Sequence, residues 1–308
     1  MNTTAEPTKR TIWQKVFTSP NEARLRAGWR ILLQTLLLMV ISVVIGIFVF
    51  IPIGIFNIEF NSPLAFLANQ ITNLIGVTGS IFLARRFLDK RSIVSLGLKF
   101  NSKAIIEILV GIVITILIMG LIFAIEIGQG WTSFSGFAWQ TEPAATVLGS
   151  LGLWLAIFII VGWQEELLSR GYHLQSLESG INVFWAVILS SSIFAILHIF
   201  NPGANWASTL GILLAGLFLA LPYILTRQLW LSIGLHIGWN FSEGVVFGFP
   251  VSGIAPFPLL KHTVSGPVLW TGGAFGPEAG LVVIPALLVG SILILGYTRY
   301  FSHKTLVD

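Results

Sequence analysis

The chain contains no cysteine in its 308 residues. Disulfides, thiolate zinc sites, iron–sulfur clusters and cysteine nucleophiles are therefore excluded. Charge is the second scarcity: Asp, Glu, Lys and Arg make up 10% of the chain, where a soluble domain carries about 25%. Heptads, a GxGxxG stretch, a P-loop and a convincing inverted repeat are also missing, which removes the usual coiled-coil and nucleotide-binding signatures. What is present is apolar, with 55% hydrophobic residues and a mean hydropathy of +0.87. The remaining charges cluster between long uncharged stretches, each near the roughly 20 residues a helix needs to cross hydrocarbon. This is the pattern of an all-α polytopic membrane protein. The net charge of +4 has a membrane explanation, so no nucleic-acid partner is expected.

The apolar runs predict about eight transmembrane helices in one bundle: Ile31–Phe56, Leu64–Ala84, Ala104–Ile125, Ala145–Leu168, Val183–Phe200, Thr209–Leu225, Leu229–Phe249 and Ala279–Gly296. The first run is too long for a secretory signal and lacks a small-residue cleavage site. With the N-terminus inside, all of the 17 lysines and arginines except Lys261 fall on the cytoplasmic side. That asymmetry is what the positive-inside rule requires of a correct span count. The expected organisation is a cytoplasmic segment at 1–30, an eight-helix domain at 31–300 and a cytoplasmic tail at 301–308. The compact form points to the plasma membrane of a prokaryote. Two outer connections stand out. One carries Trp131 and Trp139, where interfacial aromatics normally sit. The other, Gly248 to Glu278, is rich in Gly and Pro and reads equally as a plain loop, a re-entrant segment or a lid.

Ionisable residues inside membrane helices are costly and are functional candidates by default. The fourth span ends in "QEELLSRG", with Glu165, Glu166 and Arg170; the fifth carries His198; the seventh carries His236 and Glu243, with Asn240 as a buried amide. Glu166 and Arg170 are four apart with the acid first, the favourable order for a helical ion pair. Glu165 points about 100° away and has no local partner, which suits a group that must take up and release a proton. Phe194 and His198 share one helix face, as do His236 and Asn240. Whether these faces meet depends on the fourth helix. If it runs to a turn near Gly180, Glu165 and His198 lie about 22 and 27 Å above that turn, and His236 and Asn240 about 12 and 18 Å above the same side. If it stops at Leu168, Glu165 and His198 lie near opposite surfaces.

"EELLSR", "FAILH" and "HIGWN" match the patterns EExxxR, FxxxH and HxxxN, in that order, on successive helices. The chain resembles the CPBP family of intramembrane proteases, also called the Abi or CAAX-protease-related family, which includes the Rce1-type CAAX prenyl endopeptidases. The resemblance covers about 148–247. It implies that Glu165 is the general base for an attacking water, with His198 helping to bind that water. It also implies that His236 and Asn240 donate hydrogen bonds to the oxyanion. Glu166 and Arg170 would be supports, and Glu243, outside the motifs, would orient His236 or Asn240 or line the access path. The substrate would be a membrane protein or peptide at the bilayer. No cofactor is required by such a mechanism. Glu165, His198 and His236 could hold zinc with water in the fourth position, although the HExxH arrangement is absent.

Blander readings stand beside these. The three charges of the fourth span could be a helix end trimmed at the cytoplasmic surface. Each histidine, and Asn240, could be an interhelical hydrogen-bonding contact. A proton-coupled transporter would use Glu165, His198 and His236 as a relay, but it should show repeats and broken helices. A catalytically silent immunity protein of the same family remains an alternative. The sequence carries no signal of oligomeric state.

Overall fold

In the computed structural model, which describes residues 10–304 apart from Asn21 and Asn61, the apolar runs become helices that start at polar caps. A short amphipathic helix, α1 (Ile12–Phe17), precedes α2 (Ala27–Ile55) and α3 (Pro63–Leu83). Ser62 caps α3 by accepting from the Ala65 N–H, with proline at the first helical position, where its missing donor costs nothing. Asn101 caps α4 (Ser102–Gly128) in the same way through Ala104 N–H. A strand, β1 (Thr132–Phe137), follows and leads to α5 (Ala144–Glu166).

α5 does not stop at the charges. It continues through a π-helical stretch, Leu167–Leu174, into α6 (Gln175–Glu178), giving one helical run of 35 residues from Ala144 to Glu178. This is the longer of the two alternatives for the fourth helix. Then come α7 (Val183–Leu197), capped by Asn182, and α8 (Trp206–Thr226), capped by Asn205. α9 (Trp230–Asn240) follows and unwinds through a π turn at Phe241–Val246. The connection after it holds β2 (Leu260–Val264) and α10 (Val268–Thr271), and α11 (Val283–Lys304) closes the described chain. Residues 305–308 of the expected tail lie outside the described residues.

All eight expected runs are helical, but they are not equivalent. Among the described residues six helices are long and apolar enough to cross a membrane, and Val183–Leu197 is a shorter apolar helix. α9 has 11 residues, every one of them buried. A helix buried on all sides sits at the centre of a bundle, and α4, α5 and α8 surround this one. Small residues permit the contact. A Cβ added at Gly234 would lie 2.6 Å from Ile108 Cα, and one at Gly162 would lie 2.6 Å from Ile237 Cγ1. Glycine at these positions lets α4 and α5 press directly on α9.

The two ends of the bundle differ. At one end Asp89 is fully buried and accepts from Arg30, from Arg85 at 3.2 Å and from Arg24 at 3.3 Å. Arg227 pairs with Glu178 at 2.8 Å at the same end. The loops expected on the cytoplasmic side thus gather together. At the other end β1 and β2 form an antiparallel pair with a register shift between Phe134 and Gly136, and Lys261 donates to Thr141 at 2.6 Å. This small sheet is an addition to the all-α expectation. The segment from Gly248 to Glu278 folds back so that Ser252 and Glu278 reach the interior cavity.

Candidate active site

A cavity of about 450 Å³ opens among α3, α5, α7, α8 and α9, and Glu165, His198, His236 and Asn240 all line it. The two glutamates of α5 face different surroundings because adjacent helical positions diverge by about 100°. The Glu166 side chain is completely enclosed, whereas that of Glu165 keeps 28% of its surface toward the cavity.

Glu166 Oε1 accepts from Arg170 Nη1 at 2.7 Å and lies 2.7 Å from His236 Nδ1. The ion pair expected from the spacing is present, and it does more than hold the helix, because it also grips a histidine on α9. Arg170 donates in addition to the Gly216 carbonyl of α8 at 2.8 Å. Its guanidinium sits 4.6 Å from the Phe194 ring centre, a favourable cation–aromatic arrangement. One arginine therefore ties α5 to α7, α8 and, through Glu166, α9.

His198 caps the C-terminus of α7, with Nδ1 2.8 Å from the Phe194 carbonyl oxygen. A carbonyl only accepts, so Nδ1 carries the proton and Nε2 is left as an acceptor. The Phe194 ring lies tilted against His198, centroids 4.6 Å apart, and stands edge-on to His236 at 6.1 Å. Glu165 Oε2 is 3.7 Å from His198 Nε2 and 3.7 Å from His236 Nε2. This exceeds a direct hydrogen bond, and Glu165 Oε2 has no hydrogen-bond partner among the described residues. Asn240, one turn beyond His236, has an amide with no protein hydrogen-bond partner among the described residues.

Glu243 is fully buried but forms no hydrogen bond with His236 or Asn240, and it is not part of the cavity wall. The polar wall is completed by a residue that the sequence reading passed over. Glu278, 5% exposed, accepts from Trp239 Nε1 at 3.1 Å, from Ser252 N–H at 2.8 Å and from Ser252 Oγ at 2.6 Å. Ser252 itself adopts a left-handed backbone with φ of 47°, unusual for a residue other than glycine. Its carbonyl accepts from Asn201 Nδ2 at 3.2 Å. Glu278 thereby staples the connection after α9 back onto α9 next to Asn240, while Ser252 links it to the end of α7 beyond His198. The available signal was a single carboxylate at the edge of an apolar run. Phe194 was visible as a motif letter, but its role as the shared platform of Arg170, His198 and His236 was not. Glu107 and Glu126, both buried in α4, are further in-span carboxylates outside the cavity.

Among the described residues no group of three His, Cys, Asp or Glu is arranged to hold a metal ion.

Residues 147–242 match the family model described as type II CAAX prenyl endopeptidase Rce1-like. The chain carries an Rce1-like domain. The CPBP, Rce1-type family indicated by the three motifs is thus the family of this core, and at family level the domain is of the CAAX-protease type. No curated protein is similar enough in sequence to match the chain. With its six apolar helices of spanning length, the chain is an integral membrane protein. The Rce1-like core holds Glu165, Arg170, His198, His236 and Asn240. α3, Glu243, Ser252 and Glu278 fall outside it, so part of the cavity wall is supplied by elements beyond the matched family region.

Proposed function

We propose that the protein is an intramembrane endopeptidase that hydrolyses a peptide bond in a membrane-embedded or lipid-proximal substrate, using a glutamate-activated water. The supporting observation is the convergence of Glu165 Oε2 with both imidazole Nε2 atoms at 3.7 Å inside one cavity. A water placed there donates one hydrogen bond to Glu165 and the other to His198 Nε2. Glu165 takes the proton as the oxygen attacks the scissile carbonyl carbon. Negative charge develops on the carbonyl oxygen and is met by the Asn240 amide N–H and by His236. With Nδ1–H directed at Glu166, His236 can donate from Nε2 only when both ring nitrogens are protonated. The Glu166 carboxylate stabilises that cation. The tetrahedral intermediate then collapses. Glu165 returns its proton to the leaving nitrogen, the C–N bond breaks, and a carboxylic acid and an amine result, the acid then passing its proton to the amine. The expected setting is the plasma membrane of a prokaryote, with both termini cytoplasmic.

Glu165→Gln keeps the shape of the site and removes the base. Hydrolysis should fall by about 10²–10⁴-fold, the usual worth of a positioned general base. The check compares membrane-associated peptides from cells carrying the wild type or Glu165→Gln. Indistinguishable peptide sets, with the cellular phenotype retained by the variant, would remove the protease reading in favour of a silent immunity-type protein.

A further inference from the structure

One wall of the cavity is formed by α3, which lies outside the Rce1-like core and carries no assigned site residue. Its cavity-facing residues run Phe66, Asn69, Gln70, Asn73 and Val77. Apolar residues thus flank a short band of amides at the level of Glu165. Gln70 is committed, accepting from Gln164 Nε2 at 2.7 Å. Because Gln164 is the neighbour of Glu165, this bond fixes the amide band beside the proposed base. Asn69 and Asn73 are different. Both line the cavity, and neither side chain forms a hydrogen bond with the described protein.

Both asparagines are half-buried, and amides on a cavity wall inside an apolar bundle are costly unless something pairs with them. Their spacing indicates what does. Four residues along an α-helix separate Asn69 from Asn73 by about 6 Å. Along an extended peptide, residues i and i+2 present their N–H and C=O to the same edge at a spacing of about 6.6–6.8 Å. Each asparagine offers one acceptor oxygen and a donor NH₂ group, enough to pair with the N–H and C=O of one residue. An α-helical segment would satisfy its own backbone and offer these amides nothing. An extended one in hydrocarbon has orphaned backbone groups that must be paired.

We infer that Asn69 and Asn73 form a substrate-backbone subsite, binding two alternate residues of an extended peptide segment beside the scissile bond. The cavity thus selects a segment that is already unwound, or that unwinds readily, rather than a stable helix. This rests on the peptidase reading for its biological purpose, but the binding itself needs no catalysis.

The test uses the full chain in nanodiscs and two labelled single-span peptides, one with a central Gly–Pro break and one with Leu at those positions. Binding is measured on the Glu165→Gln protein, so that turnover does not intervene. The broken peptide should bind at least tenfold more tightly, and Asn69→Leu with Asn73→Leu should abolish that preference. A backbone ester replaces single N–H groups of the broken peptide in turn. At the position facing an asparagine it should weaken binding about threefold to tenfold, one hydrogen bond's worth. In the Asn→Leu protein that ester penalty should disappear, a non-additivity a purely structural defect would not produce. Equal binding of the two peptides, no saturable binding by the broken peptide, or an ester penalty unchanged in the variant would each overturn the inference. Hydrolysis of the broken peptide by wild type is scored separately. Selective binding without cleavage would remove the peptidase reading and leave the subsite standing.

Discussion

Glu165 and Glu166 are chemically identical neighbours, and their surroundings give them different work. The division was partly legible from spacing alone, since an acid four residues before an arginine predicts the Glu166–Arg170 pair. What spacing could not show is that the same carboxylate oxygen also faces His236, 70 residues away. That contact depends on how α5 and α9 cross. Glu278 was still less legible, because a lone acid in a Gly/Pro-rich connection has no periodicity to place it. The shared use of Glu166 gives a separable prediction. Arg170→Leu leaves the buried Glu166 carboxylate with His236 as its remaining partner and should cost about 3–5 kcal/mol of stability. The double variant Glu166→Leu/Arg170→Leu removes both charges and should recover most of that loss, since apolar replacements of a buried pair are tolerated. It also leaves His236 Nδ1 without its acceptor, so hydrolysis should stay low. Thermal unfolding and peptide hydrolysis on the same samples check this. Recovery of both together would show that the pair is only structural.

At the scale of elements, the helices were readable because each is an uncharged run ended by polar residues such as Ser62, Asn101, Asn182 and Asn205. The sequence is compatible with two lengths of the fourth helix, and its continuation to Glu178 is what brings Glu165 to the level of His198. The sequence did not show that α9 is a central strut. A fully buried helix and a lipid-facing one are equally apolar, so hydropathy cannot separate them. The β1–β2 pair was hidden because its strands are far apart in the chain, and the strand signal of each is short. Gly162 tests the importance of the α5–α9 crossing. A Cβ there meets Ile237 Cγ1 at 2.6 Å and Ile237 N at 3.2 Å. Gly162→Val should therefore push the helices apart, costing about 1–3 kcal/mol as overpacking does. It should also lower hydrolysis, because Glu165 lies within the next turn. Gly149→Ala on the same helix meets nothing within 4 Å and should leave both measurements near wild type. A Gly162→Val protein with unchanged activity would mean that the crossing has slack.

Across the whole molecule, the cavity is held from both ends, by the Glu278–Ser252 staple on one side and by Asp89 on the other. Asp89 joins segments distant in sequence: Arg24 and Arg30 from the N-terminal approach and the start of α2, and Arg85 from the end of α3. Arg30 continues the connection by donating to Ser179 Oγ at 2.6 Å, just past α6 and at the foot of the helix that carries Glu165. The positive-inside count foresaw cations at this end but treated them as interchangeable. The structure makes them a cluster around one fully buried acid. Removing the acid leaves three close arginines with no common partner, a like-charge arrangement in low dielectric. Asp89→Asn should therefore lose about 3–5 kcal/mol, the cost of breaking a buried pair from one side. Arg85→Leu leaves Asp89 still held by Arg24 and Arg30 and should lose less. The loss should appear first as loosening of the N-terminal segment, seen as faster proteolysis near residues 10–26 before the bundle unfolds. Hydrolysis should fall only to the extent that the foot of the α5–α6 helix becomes mobile. Wild-type melting and wild-type protease resistance in Asp89→Asn would show that the cluster is surface decoration and that the bundle alone holds the helix in place.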